Sequence, residues 1–142
     1  MDNADRCPYC GQDILKHKHP FSRSLANILI RATQKFGPKE PFHLQHDLFL
    51  TKSEYNNFQK LRYWGLVEKA RDGQGKRRGG YWSLTWKALE LLNGEEIYKW
   101  VITFNNAIVD YSIKKITLQQ TVGYFEIPER WAKRAEAQKV WL

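Results

Sequence analysis

The chain has 142 residues, of which 42% are hydrophobic and 27% charged, enough apolar mass for one core of about 100 to 150 residues and too little for two domains of ordinary size. Its formal net charge of +8 favours phosphate-bearing or otherwise acidic partners through long-range attraction. No stretch approaches the ~20 apolar residues of a membrane span, and the opening MDNADR is too polar and acidic for a signal or transit peptide, so the chain reads as cytoplasmic.

The first twenty residues lack hydrophobic periodicity and hold both cysteines, Cys7 and Cys10, with His17 and His19, which predicts a small loop-rich segment ending at Pro20. From Ser22 or Ser24 as N-cap, Leu25, Ile28, Leu29, Ala32 and Phe36 make the apolar stripe of a first helix that Gly37-Pro38 stops. Residues 41–44 predict a brief extended piece, and 45–50 one or two helical turns. Thr51-Lys52-Ser53-Glu54 is a capping box, opening a helix that Gly65 ends. On that helix Tyr55, Phe58, Leu61 and the stem of Arg62 cluster on one side. Lys52, Ser53, Asn56, Lys60 and Tyr63 project from the other. Of the next two aromatics, Trp64 is expected to pack, whereas Tyr63 suits either packing or contact.

Leu66 to Lys69 reads as a strand, residues 71–80 as a glycine-rich basic hairpin loop, and residues 81–84 as the returning strand. Thr85 is the expected cap of a further helix with Trp86, Ala88, Leu89 and Leu92 on its apolar side, ended by Asn93-Gly94. Past Gly94 the period becomes twofold. Residues 98–104 and 107–111 flank an Asn105-Asn106 turn, 116–122 alternate as a third strand of an antiparallel meander, and Pro128 opens a charged helix running to the end. The expectation is therefore an α+β fold in three segments: 1–20 zinc-knuckle-like, 21–95, and a β extension over 96–142. The extension is too small to stand alone and should pack on the preceding unit or on a partner.

The order helix, extended piece, short helix, capped helix, strand, basic glycine-rich loop, strand resembles a winged helix-turn-helix over residues 22–94. Leu50 to Tyr55, Leu61 to Glu68, Tyr81 to Thr85 and Lys87 to Leu92 are similar to the recognition helix, wing and post-wing helix of multiple-antibiotic-resistance-type regulators. The resemblance implies that the helix over 52–64 enters the major groove of double-stranded DNA. Lys52, Ser53, Asn56, Asn57, Lys60 and Tyr63 would be its contacts, while Lys76, Arg77 and Arg78 follow phosphates or a minor groove. The chemistry agrees: Asn reads adenine edges bidentately, and Lys and Ser meet guanine or phosphate oxygens. Residues 60–78 carry seven cations against two acids, Glu68 and Asp72. Members of that family dimerise through long terminal helices, and this chain has a β-rich extension instead. A homodimer or a protein partner would use 96–142.

Cys7-Pro8-Tyr9-Cys10 is also a dithiol redox sequence, but only the six residues MDNADR, mostly polar, precede it, so the buried strand a thioredoxin-like site needs is not expected. Cys-Pro-x-Cys-Gly instead looks like half of a zinc knuckle. His17 and His19 would complete a structural Cys2His2 zinc site, with His43 and His46 as substitutes. Four protein ligands leave no open position for hydrolytic water. No Walker loop, dinucleotide fingerprint, nucleophile elbow, paired carboxylates with a base or His-Asn-His nuclease series is present, so the chain reads as a non-enzyme. No small-molecule substrate is evident. The leading expectation is a DNA-binding protein acting in transcription regulation; a protein-interaction or RNA-associated module is the alternative.

Overall fold

The computed structural model describes residues 4–6, 13–71 and 77–132, with side chains over 16–71 and 80–132. Three short strands come first: β1 (Ala4–Arg6), β2 (Asp13–Leu15) and β3 (His17–Pro20). Helix α1 (Arg23–Lys35) begins at Ser22, whose extended backbone lets its hydroxyl accept from the Leu25 N–H, and ends at extended Phe36, two residues before Pro38. Of its expected stripe Leu25, Ile28, Leu29 and Ala32 are buried, joined by Ala26 and Thr33, while Phe36 is the half-buried residue that ends the helix.

β4 (Phe42–His43) leads directly into α2 (Leu44–Leu48). Here His43 is the cap. Its Nδ1 accepts from the N–H groups of Gln45 and His46, and Asp47 reciprocates by accepting from the His43 N–H at 2.7 Å. After a left-handed Phe49 comes α3 (Lys52–Lys60), opened by the capping box of Thr51 and Glu54. The helix then tightens into a 3-10 turn over Leu61–Trp64, and Gly65 ends it in the left-handed region at φ 72°. Glu54 also takes both guanidinium nitrogens of Arg31 at 3.0 and 3.1 Å, so one carboxylate caps α3 and fastens it to α1.

β5 (Val67–Arg71) and β6 (Arg77–Leu84) pair antiparallel, and β4 pairs antiparallel with the other edge of β6, giving the order β4-β6-β5. α4 (Trp86–Leu92) follows, with a different face inward from the one expected. Ala88, Leu91 and Leu92 are buried, whereas Trp86 is 61% exposed. The i, i+3, i+4 stripe begins at Ala88, and Trp86 lies two residues, about 200°, from it. Nor does the Thr85 hydroxyl cap this helix; it donates to the Gly65 carbonyl at 2.6 Å.

The C-terminal part departs most from expectation. β7 (Ile97–Tyr98) and β8 (Trp100–Phe104) are separate, because the Ser112 hydroxyl accepts from the N–H groups of Lys99 and Trp100 between them and donates to the Lys114 carbonyl. β9 (Ala107–Tyr111) returns from a turn in which Asn105 and Asn106 both have positive φ, the arrangement a two-residue hairpin requires. The third strand of this sheet is β3, in the order β3-β8-β9, with His17 opposite Thr103 and His19 opposite Val101. Residues 17–20, expected in a loop-rich appendage, are thus integral to the extension. Instead of a strand over 116–122 there is a two-residue β10 (Lys115–Ile116) paired with β7, then α5 (Leu118–Val122). Thr117 and Gln120 form a capping box there, which outweighs the twofold alternation. After Pro128 the described chain makes one 3-10 turn, Glu129–Trp131; the remainder of the expected terminal helix, 133–142, lies outside the described residues.

The fold is mixed α+β with antiparallel sheets, and one apolar cluster joins its segments: Phe21, Val101, Leu118 and Trp131 share it with α1, α3, β6 and α4. The expected boundaries at 20 and 95 are therefore junctions inside one packed body. Trp131 is fully buried; its indole N–H donates to the Phe36 carbonyl at 2.7 Å, and its own carbonyl accepts from Asn93 at 2.9 Å. Among the described residues no helix is long and apolar enough to cross a membrane.

Replacing Trp131 by Ala removes both the apolar fill and this bridge, and should cost about 3–5 kcal/mol, measured by urea unfolding followed by far-ultraviolet circular dichroism. The Arg31 guanidinium, then the Thr51 N–H, hold the Glu54 carboxyl below its ordinary value of 4.5. A carboxylate whose pKa is lowered by folding stabilises above its unfolded value, and that contribution is lost as pH falls through the folded one. Arg31→Ala should raise the Glu54 pKa toward 4.5 in an NMR titration. For this partly exposed pair it should lower stability at pH 7 by about 0.2–1 kcal/mol, a difference that shrinks as pH drops below 4.5.

Candidate nucleic-acid interface

α3 is held from three sides, by the Arg31 pair, by Phe58 in the core and by buried Leu61 and Trp64 beyond its end. This leaves Lys52, Ser53 and Asn56 exposed, with Lys60 half-buried. Lys52, Asn56 and Lys60 recur every four residues, so they form one stripe of cation, amide and cation. Asn57 is not part of it: half-buried, it lines the cleft between α1 and α3 with Ser24, Asn27, Ile28 and Arg31.

Tyr63 is also less free than its helical position suggests. Its ring stacks on His19, with centroids 5.1 Å apart, and its hydroxyl donates to Asn106 Oδ1 at 3.3 Å. Arg62 lies over the same ring at 4.8 Å and donates both to the Tyr63 hydroxyl and to the Gln59 carbonyl. Tyr63 therefore joins the end of α3 to the β3-β8-β9 sheet. Asn106 carries no motif in the sequence beyond its place in an Asn-Asn turn, and only the tertiary contact brings it beside α3.

Of the basic loop, Arg77 and Arg78 belong to the backbone of β6, with Arg77 opposite Arg71, and Lys76 lies outside the described residues.

His17 and His19 lie on one face of β3, as residues two apart in a strand must, with ring centroids 6.2 Å apart. Two imidazoles on one tetrahedral zinc, at Zn–N of ~2.0–2.1 Å, would hold their centroids about 5 Å apart, so these rings would have to close by about 1 Å. His19 shares a hydrogen bond between Nε2 and the Thr103 hydroxyl at 2.9 Å. Burial first, then the charges of Lys60, His17 and Arg62, hold its pKa below 6.5, which favours the neutral ring that ligates metal. Cys7 and Cys10 lie outside the described residues. Among the described residues no three His, Cys, Asp or Glu side chains gather at one point. His43 makes a poor substitute, since Nδ1 caps α2 and Nε2 sits against Gly80, where an added Cβ would be 2.7 Å away. His46 stacks on that ring at 4.0 Å.

Exposed aromatic surface that sequence reasoning missed lies at Phe49, 73% exposed between α2 and α3, with Lys35 over its ring at 5.6 Å. Its left-handed backbone, rare for a bulky residue, turns it outward. Comparison of the chain with protein-family models, with curated proteins and with solved structures finds no match.

Proposed function

We propose that the chain is a DNA-binding protein in which residues 22–94 act as a winged helix-turn-helix. In this reading α3 lies in the major groove and the hairpin between β5 and β6 lies over neighbouring phosphates. The observation that carries it is the combination of element order, α1-β4-α2-α3-β5-β6, with sheet order β4-β6-β5. The short strand before α2 closes the hairpin sheet, so that α2 and α3 stand as a helix pair with the outer stripe of α3 unpacked. Lys52, Ser53 and Asn56 are its leading base or phosphate contacts, with Lys60 at the edge. The net charge of +8 supplies the sequence-independent attraction. Regulation of transcription is the role that suits such a reader, and no catalytic step is assigned to it. Among the described residues 96–132 hold no long helix for dimerisation by that family's route; Val101 of β8 and Leu118 of α5 pack on the same chain's core, and β9 is exposed along its length.

We also propose a structural zinc ion held by Cys7, Cys10, His17 and His19, which would pin the N-terminal segment to the β3-β8-β9 sheet. The same-face histidines and the neutral bias of His19 support it.

Labelled random duplex DNA should bind with a Kd on the order of 10⁻⁴–10⁻⁶ M at physiological salt, weakening steeply as salt rises and resisting competitor RNA. Once a preferred site is selected, Asn56→Ala or Lys60→Ala should relax preference within it. Arg77→Ala should weaken all sequences and lower the salt slope by about one. Efficient competition by RNA, or absence of duplex binding at low salt, would favour the RNA-associated or protein-interaction module instead. For the metal, the purified protein should carry one zinc per chain by elemental analysis, and Cys7→Ser with Cys10→Ser should abolish it. Equal zinc content in that double variant would remove the assignment.

A further inference from the structure

The stripe on α3 does not end at the helix. Lys52, Asn56 and Lys60 lead into Tyr63, and Tyr63 hydrogen-bonds Asn106 at the tip of the β8–β9 hairpin. Counting ~1.5 Å per residue through α3 and ~2.0 Å through the 3-10 turn, the line from Lys52 to Tyr63 is about 17 Å long. A recognition helix lies along the major groove, whose ~12 Å width takes the helix's diameter. With Asn56 over base edges, the Tyr63 end and the β8–β9 tip fastened to it lie farther along, at the rim of the same groove. From this we infer that the β8–β9 tip is a second DNA contact, a clamp on the phosphate backbone beside the groove that α3 enters. The inference rests on the DNA-binding reading above and extends it to a surface outside residues 22–94.

The chemistry at the tip suits a phosphate. Arg62 donates to the Tyr63 hydroxyl, which donates to Asn106 Oδ1, a chain that occupies the amide oxygen. The part of the Asn106 side chain left without a partner is its NH2 group, a donor. Asn105 and Asn106 are both exposed and both in the left-handed region, so the turn is a fixed two-residue hairpin loop. Lys16 adds a cation. The pairing of His17 with Thr103 sets exposed Lys16 level with Phe104, one residue from the turn. A donor amide fits the backbone of a duplex and carries no base-reading geometry, so its contribution should be independent of sequence.

The test is anisotropy on the full chain with labelled duplex across a salt series, comparing wild type, Asn56→Ala, Asn106→Asp and Lys16→Ala. Asp tolerates the left-handed backbone at 106 and sets a carboxylate against the phosphates, so Asn106→Asp should raise Kd about five- to tenfold on every sequence. Lys16→Ala should lower the salt slope by about one, and both variants should keep the wild-type melting temperature. If wild type binds and Asn56→Ala weakens or relaxes binding while both tip variants bind as wild type, the clamp is wrong and the α3 reading stands. If wild type does not bind duplex, both fall.

Discussion

Trp64 is the residue on which the arrangement turns. A buried indole must place its N–H on an acceptor. The acceptor is the carbonyl of Tyr98, at 2.8 Å, at the end of β7 in the C-terminal part of the chain. The same ring meets Phe21 edge-on at 5.4 Å, just where β3 gives way to α1. One side chain at the end of the α3 segment thus fixes the position of both flanking segments.

The 3-10 turn makes this possible. Tightening from α to 3-10 geometry over Leu61–Trp64 rotates consecutive residues by about 120°, so that Leu61 and Trp64 both point into the core while Arg62 and Tyr63 are left outside. Tyr63 then has an aromatic face for His19 and a hydroxyl for Asn106. Had the α-helix continued, Trp64 and Leu61 would share a face less closely. The left-handed Gly65 stops the helix at this point, and its carbonyl accepts from Thr85, which ties the end of α3 to the start of α4.

The second tie is Trp131, which reaches back to the end of α1 through Phe36 and to the end of α4 through Asn93. Arg130 adds a hydrogen bond to the Lys35 carbonyl, satisfying a terminal acceptor of α1. Both tryptophans belong to one core and tie the C-terminal segment to it by hydrogen bonds. The extension is thus part of the body that positions α3, rather than an appendage with a separate task. This is why a surface extending from α3 onto the β8–β9 turn is geometrically continuous.

Much of the local structure was legible in the sequence because it is decided within a few residues. Ser22, the Thr51–Glu54 box, Gly65 and Asn105-Asn106 act on their own neighbours, and each stands at the helix end or turn that its chemistry dictates. Where two local signals competed, reading by period went astray: alternation over 116–122 suggested a strand, but Thr117 and Gln120 cap a helix. The exposure of Trp86 and the place of Asn57 in the cleft beside α1 depend on which neighbours arrive, and no local pattern encodes that. Above all, the pairing of β3 with β8 across more than eighty residues, and the meeting of Tyr63 with Asn106, are tertiary choices. A strand's partner is selected by where the core places it, since backbone hydrogen bonds carry no address of their own; the sequence by itself determined the helix ends, the Asn-Asn turn and the basic stripe on α3, and the packing of Trp64 and Trp131 decided what that stripe adjoins.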